Sequence, residues 1–489
     1  MRFRELAAFP ALFADFCEGA PAARQFFPYV PDAGNLRARA ESFHDRTLPR
    51  RELCEILHAQ AERFSSGERA RSNLAKLKDP QTVAVVTTLH PELFGGPLCS
   101  WLKAFTAARL AAWLGDFGIP AVPVGWMEAN VRPGDLSVGL LATGGPLRVG
   151  LERTPALNGA AASGIEELLA RIAQVLGVGV EQSDLLLLLK AAYASEADLS
   201  LAWGRSISKL LDSCGIVLLD PRQPDVFRLA MRLLSFVEER RAAVVLAEQE
   251  KRLRAAGYGG AQADGTSGNG PREGAGGQFA GLLTSLVMQH LLLPVAANVI
   301  EESEAYSFAL EEALFPELQL CRPLAWPRVS ATILDARSRK VLQRYGLCLG
   351  DLFAGPEALT ENLMKRLVAQ NTLNRLGNLE EELDKQLKEL AGLVPSGDRL
   401  KTRIEKCRLR MAYQLEKLKT RFSDAQRQRR EAIRRQVTRL CDSLAPWGRL
   451  QERELAGFQF IQRYSNALGK TLYEGIDPWK FEHQLIPID

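Results

Sequence analysis

The chain has 489 residues, 46% of them hydrophobic and 25% charged, with a net charge of +4 at pH 7. That length can bury a sizeable core and corresponds to two or three structural units of a soluble protein. The first twenty residues carry Glu5, Asp15 and Glu18 and lack the apolar core of a secretory signal. The LLLLLK run ending at Lys190 is far too short to span a membrane. The eight cysteines (Cys17, Cys54, Cys99, Cys214, Cys321, Cys348, Cys407, Cys441) are scattered without a CxxC pair, which points to reduced thiols in a cytoplasm and excludes a zinc ribbon or a disulfide framework. His44, His58, His90, His290 and His483 are too far apart to form a local metal motif.

In chain order, the first strong signal is VAVVTTL at 83–89, followed by AVPVGWM at 121–127 and GIVLLD at 215–220. Continuous runs of this kind suit strands covered on both faces, as in a parallel sheet. Between the first two, residues 98–116 carry apolar side chains at helical spacing and stop at Gly118 and Pro120. The three segments predict a βαβ unit, a Rossmann-type sheet and ligands at the carboxyl ends of its strands.

The loop after the first strand holds Gly95-Gly96-Pro97, with Lys103 about two turns into the helix. It matches no Walker or dinucleotide fingerprint. On residues alone it reads as a helix-entry turn with Lys103 on a solvent-facing side; the competing reading makes Lys103 the cation of an anion site. Farther on, residues 255–277 are glycine-rich without apolar periodicity and read as a mobile loop. Helix, strand and helix follow, with Glu301, Glu302 and Glu304 in the second connection, where they would bind an amine or favour the next helix N-terminus.

From 358 to 393 and from 400 to 444 the pattern turns to sustained three-four spacing around a VPSGD turn. The first arm carries Leu376, Leu379, Leu383, Leu387 and Leu390; the second carries Ile404, Cys407, Met411, Leu415, Leu418, Phe422 and Ala425. Two helices of about 36 and 45 residues, roughly 55 and 65 Å long, form an antiparallel coiled-coil hairpin. The second arm is strongly basic. Without interleaved aromatics, and with the acidic LEEELDKQLKEL opposite, it reads as a solvated coiled-coil face rather than a nucleic-acid surface.

Four segments carry a family likeness: 77–86 with the GGPL and Lys103 that follow; VPVGW at 122–126; GIVLLDP from 215 with the later AGY ending at Tyr258; and WPRVSATILD from 326 with the GRLQERELAGFQFIQRYS tail. Through them the chain resembles the bacillithiol-biosynthesis cysteine-adding enzymes, the BshC family, over nearly its full length. The resemblance implies an α/β fold with a Rossmann-like, class I synthetase-type core and helical insertions at 1–355, a dimerising coiled-coil hairpin at 356–445 and a helical return onto the core at 446–489. It also implies a cytoplasmic homodimer that joins cysteine to the amine of glucosaminyl malate, using ATP or ADP and no metal motif. His90 and Glu304 would be catalytic, Gly95, Gly96 and Lys103 would contact nucleotide, and Trp126, Tyr306 and Arg328 would contact substrate.

The departures fall where the chemistry would be. TTLHPELFGGPLCS stands for the family's GGQQAGLFTGPLYT, residues 129–133 for GEDHD, and 301–304 for GPGE, of which only Glu304 remains. Two readings therefore stand side by side: a ligase with an altered site, and a non-catalytic homodimeric relative.

Overall fold

The three apolar runs become strands of one parallel sheet, two of them inside it and the third at its edge. In chain order the strands are β1 (Val83–Leu89), β2 (Ala121–Met127), β3 (Ser137–Ala142), β4 (Gly145–Gly150), β5 (Val217–Leu219), β6 (Val295–Ile300), β7 (Ala325–Pro327), β8 (Ser330–Asp335) and β9 (His483–Ile488). Five form a sheet of order β5-β2-β1-β6-β7, each neighbouring pair parallel. β1 and β6 are almost wholly buried, as strands covered on both faces must be. β3 and β4 form an antiparallel hairpin, and β8 pairs with β9. The third predicted strand is shorter than its apolar run, only Val217–Leu219. This computed structural model describes residues 1–6, 9–43, 48–128, 136–151, 161–193, 198–233, 239–259, 285–367, 372–396, 398–464 and 468–488.

Between β1 and β2 runs α1 (Leu98–Asp116), completing the βαβ unit. Its low amphipathicity has a cause: it is enclosed, with Trp101, Leu102, Phe105, Leu110 and Leu114 all at 0% exposure. Each such side chain contributes roughly 1.5–3 kcal/mol on burial. α2 (Ala305–Glu311) follows β6. The run ending at Lys190 lies in the helix Asp184–Tyr193, and among the described residues no helix is long and apolar enough to cross a membrane. All eight cysteines are free. The glycine-rich stretch begins later than its composition suggests: the helix Glu239–Ala255 runs into it, and the buried Tyr258 donates a hydrogen bond to Asp15 at 2.7 Å. Residues 260–277 lie outside the described residues.

The chain divides into two compact units, residues 1–334 with 449–489, and residues 335–448. The second unit contains α3 (Pro356–Leu367), α4 (Thr372–Gly392) and the 46-residue α5 (Arg399–Leu444), against which α3 and α4 both pack. The helix Ala336–Tyr345 also belongs to it, and Tyr345 donates a hydrogen bond to Gln436 of α5.

The packing seam of the hairpin differs from the one its leucines suggest. Ile404, Leu415 and Phe422 are half-buried, but so are Arg408 and Lys419, which reach Asp384 and Glu380 on α4. Cys407, Met411, Leu418 and Ala425 are instead exposed. Long charged side chains can hold seam positions because their stems pack while their heads find carboxylates. α5 thus carries a second apolar stripe, Leu400, Cys407, Met411, Leu418 and Ala425, on its open side.

Candidate active site

The chain runs outward from β1 to β2 and β5 on one side, then restarts at β6 and continues to β7 on the other. The switch point is between β1 and β6, and in open α/β sheets ligands bind beyond the carboxyl ends of the strands there. His90 follows the end of β1 directly; Glu301 and Glu304 follow the end of β6. The imidazole and the two carboxylates each offer an atom within 4.8 Å of the others. From α1, Lys103 points into the same place, with Nζ 2.7 Å from Glu304 Oε1.

Lys103 is not on a solvent-facing side, as its spacing had suggested; it is 2% exposed. A buried ammonium is tolerated only when paired, and here the partner lies 201 residues away in sequence. Burial works against the ammonium, yet Glu304 and Glu301 outweigh it and hold its pKa above the ordinary value. Glu301 is half-buried, and desolvation works against its charge, but Lys103, Arg328 and His90 overcome that penalty and keep its carboxyl well below the usual range. For Glu304, burial and the charge of Glu301 outweigh Lys103, and its carboxyl is pushed up to about 7. The turn after β6 is self-locking: Glu304 Oε2 accepts from the Glu301 N–H at 2.8 Å, and Ser303 Oγ donates to Glu301 at 2.5 Å.

The loop 93–96 leads from β1 into α1. Phe94, Gly95 and Gly96 have φ values of 55°, 87° and 73°, three consecutive residues on the left-handed side of the backbone map. Such a run needs outside support at the phenylalanine. Tyr193 supplies it: its hydroxyl accepts from the Phe94 N–H at 2.8 Å, and the two rings meet edge to face. The positive φ at both positions favours glycine, and a Cβ would also press on Leu210 from Gly95 (2.9 Å) and on Glu92 from Gly96 (3.0 Å). The first amide of α1, Leu98 N–H, donates to the Leu455 carbonyl, and the Gly96 carbonyl accepts from Gly457.

Of the remaining site candidates, Arg328 lies immediately behind the cluster. It is 2% exposed, bonds Glu302 at 3.0 Å and Glu452 at 2.9 Å, and brings Nε to 4.0 Å from Glu301. Glu452 also accepts from Ser330 Oγ at 2.7 Å and Ala331 N–H at 2.6 Å, while Arg453 bonds Glu302. The PR segment at 327–328 and the QER segment at 451–453 are thus one ion-pair network. Ser330 and Thr332 also bracket the buried His483, at 2.7 and 2.9 Å; burial pushes that imidazole down to about 4. Trp126 is 1% exposed in the core with Leu57 and Val217, and Tyr306 is half-buried beside Glu250 and Arg254. Residues 129–133 lie outside the described residues. Glu452 and Tyr193 were not singled out from sequence, and Glu302 was read as an amine ligand or a helix N-terminal acid rather than as the partner of Arg328; only the contact of distant segments gives them these roles.

A second acidic pair joins Glu128, after β2, to Glu311 at the end of α2. Burial and the nearby charge of Glu128 push the Glu311 carboxyl up to about 8. A carboxyl raised from about 4.3 in the unfolded chain stabilises the fold at low pH, and that contribution is lost as pH rises through the folded value. His483 works in the opposite sense only between about 4 and 6.5. Denaturant unfolding at pH 6.5 and 8.5 therefore shows greater stability at the lower pH, with Glu311 contributing about 2 kcal/mol of the difference. Glu311→Gln reduces it; an unchanged difference would contradict the assignment.

The chain is an α/β protein whose Rossmann-like sheet carries a charged cluster at its switch point. Residues 1–267 match the family model for the bacillithiol biosynthesis BshC N-terminal Rossmann-like domain, and residues 331–488 match that for the BshC C-terminal coiled-coil domain. The chain belongs to the BshC family. It is 27% identical to a Salinibacter ruber protein across 99% of this chain and 97% of that one, and 26% identical to a Geobacillus kaustophilus protein across 99% and 100%. A Solibacter usitatus protein is 26% identical across 85% and 86%. All three carry the name "Putative cysteine ligase BshC".

Proposed function

We propose that this chain is a cytoplasmic, ATP-dependent ligase that joins the carboxyl group of cysteine to the amine of glucosaminyl malate. The observation that carries the reading is the Lys103–Glu304–Glu301–His90 cluster at the switch point, in a family whose relatives are named as cysteine ligases. ATP would supply activation of the cysteine carboxylate. The chain's own groups then have separable tasks. Lys103 supplies a fixed positive charge to oxygen that gains negative charge, an effect strongest where water is excluded. Glu304, with its carboxyl at about 7, is suited to accept the proton that the attacking amine releases as the C–N bond forms. Glu301 raises the carboxyl of Glu304, His90 in turn favours the charge on Glu301, and Arg328 holds the turn from behind.

One observation favours the non-catalytic alternative. The packed glycines and the engaged Leu98 amide make the loop 93–97 a weak phosphate cradle, and the charge of Lys103 is already matched by Glu304. ATP affinity is accordingly expected in the high micromolar range, about −5 to −6 kcal/mol. Formation of product dependent on both ATP and cysteine separates the two readings.

The exposed stripe on α5 fits a homodimer through the hairpin, since pairing would cover what the monomer leaves open. Met411→Lys combined with Leu418→Lys touches only that stripe and is expected to convert dimer to monomer in sedimentation without loss of helix. An unchanged dimer mass would place the interface elsewhere.

A further inference from the structure

His90, Glu301 and Glu304 have a second chemistry available to them. One imidazole nitrogen and two carboxylate oxygens, converging within 4.8 Å from two adjacent strand ends, form the three-sided donor set that first-row divalent ions accept with a fourth position open. Each carboxylate already has an outer partner that orients it. Lys103 Nζ donates to Glu304 and Ser303 Oγ donates to Glu301, while Arg328, nine-tenths buried or more, keeps an unpartnered Nε 4.0 Å from Glu301. Donor carboxylates held by second partners in this way are typical of metal centres. No local spacing reveals the set, because its members come from residues 90 and 301–304 and meet only through the β1–β6 pairing.

We infer that His90, Glu301 and Glu304 form a binding site for a divalent transition-metal ion such as Zn²⁺. Ligation of the ion by Glu304 and use of that carboxylate as a base are then mutually exclusive. A loaded site has no free carboxylate to accept the amine proton, so zinc would inhibit the reaction; this inhibitory consequence alone rests on the ligase reading, and the binding does not.

Calorimetric titration of the metal-free full-length protein with zinc tests the inference. One ion per chain is expected, with affinity reduced more than about tenfold in His90→Ala and in the near-isosteric Glu301→Gln. Absence of zinc binding, or stoichiometric binding that both variants retain, overturns the site whatever the enzyme's activity. Zinc that binds through His90 and Glu301 but leaves product formation unchanged overturns the inhibitory consequence. Absence of ligase activity with variant-sensitive binding intact would count against the ligase reading and leave the ion site standing.

Discussion

Arg328→Met is expected to destabilise the core unit by about 3–5 kcal/mol, the cost of leaving buried charge without its partner. The guanidinium stands between Glu302 and Glu452, both nearly inaccessible to water, and Arg453 alone cannot compensate both. Without Arg328 the two carboxylates would have raised folded-state pKa values, so the penalty grows as pH rises and shrinks toward acid, where they protonate. Urea unfolding at pH 5.5 and 8 measures both features. A midpoint shift that is large at pH 8 and smaller at pH 5.5 is the expected result; a small, pH-independent shift would mean that methionine packs there as well as the network does. Through Glu302 and the neighbouring Glu301, the same substitution should also loosen the turn that carries Glu304.

Lys103→Ala has the largest expected effect on chemistry. Its removal takes the only ammonium paired to Glu304 among the described residues and leaves two half-buried carboxylates close together. The Glu304 carboxyl then rises further, because burial and the charge of Glu301 act unopposed by Lys103. Product formation is expected to fall by roughly 10²–10³, the scale seen when one charge-stabilising group is lost. The remaining rate should shift its pH dependence upward, since Glu304 must lose a proton to act as a base. ATP affinity should weaken in the same variant. A reduced rate with an unmoved pH profile would assign Lys103 a structural role only.

Where apolar runs were long and continuous, their meaning was readable. Val83–Leu89, Ala121–Met127 and the helix between them have the boundaries that their turn residues suggest. β7 was not readable, since a three-residue strand containing proline has no periodicity, and β9 pairs with β8 across about 150 residues. The phase of the hairpin seam was misleading because Arg408 and Lys419 hold inward positions that an apolar count awards to Cys407, Met411 and Leu418. At the site, His90, Lys103 and Glu304 could be singled out by residue type and by family likeness. Their mutual contact could not, because burial of Lys103 depends on a carboxylate 201 positions away. The same holds for Arg328 with Glu452: two segments recognised separately as family features are a single ion-pair network in space.

The most direct measurement is mass-spectrometric detection of cysteinyl product after incubating the purified protein with cysteine, glucosaminyl malate and ATP. The ligase reading predicts product that requires ATP and falls with Lys103→Ala. No product from a folded wild-type protein, with no ATP binding by calorimetry, would contradict it and leave a BshC-family fold without the reaction.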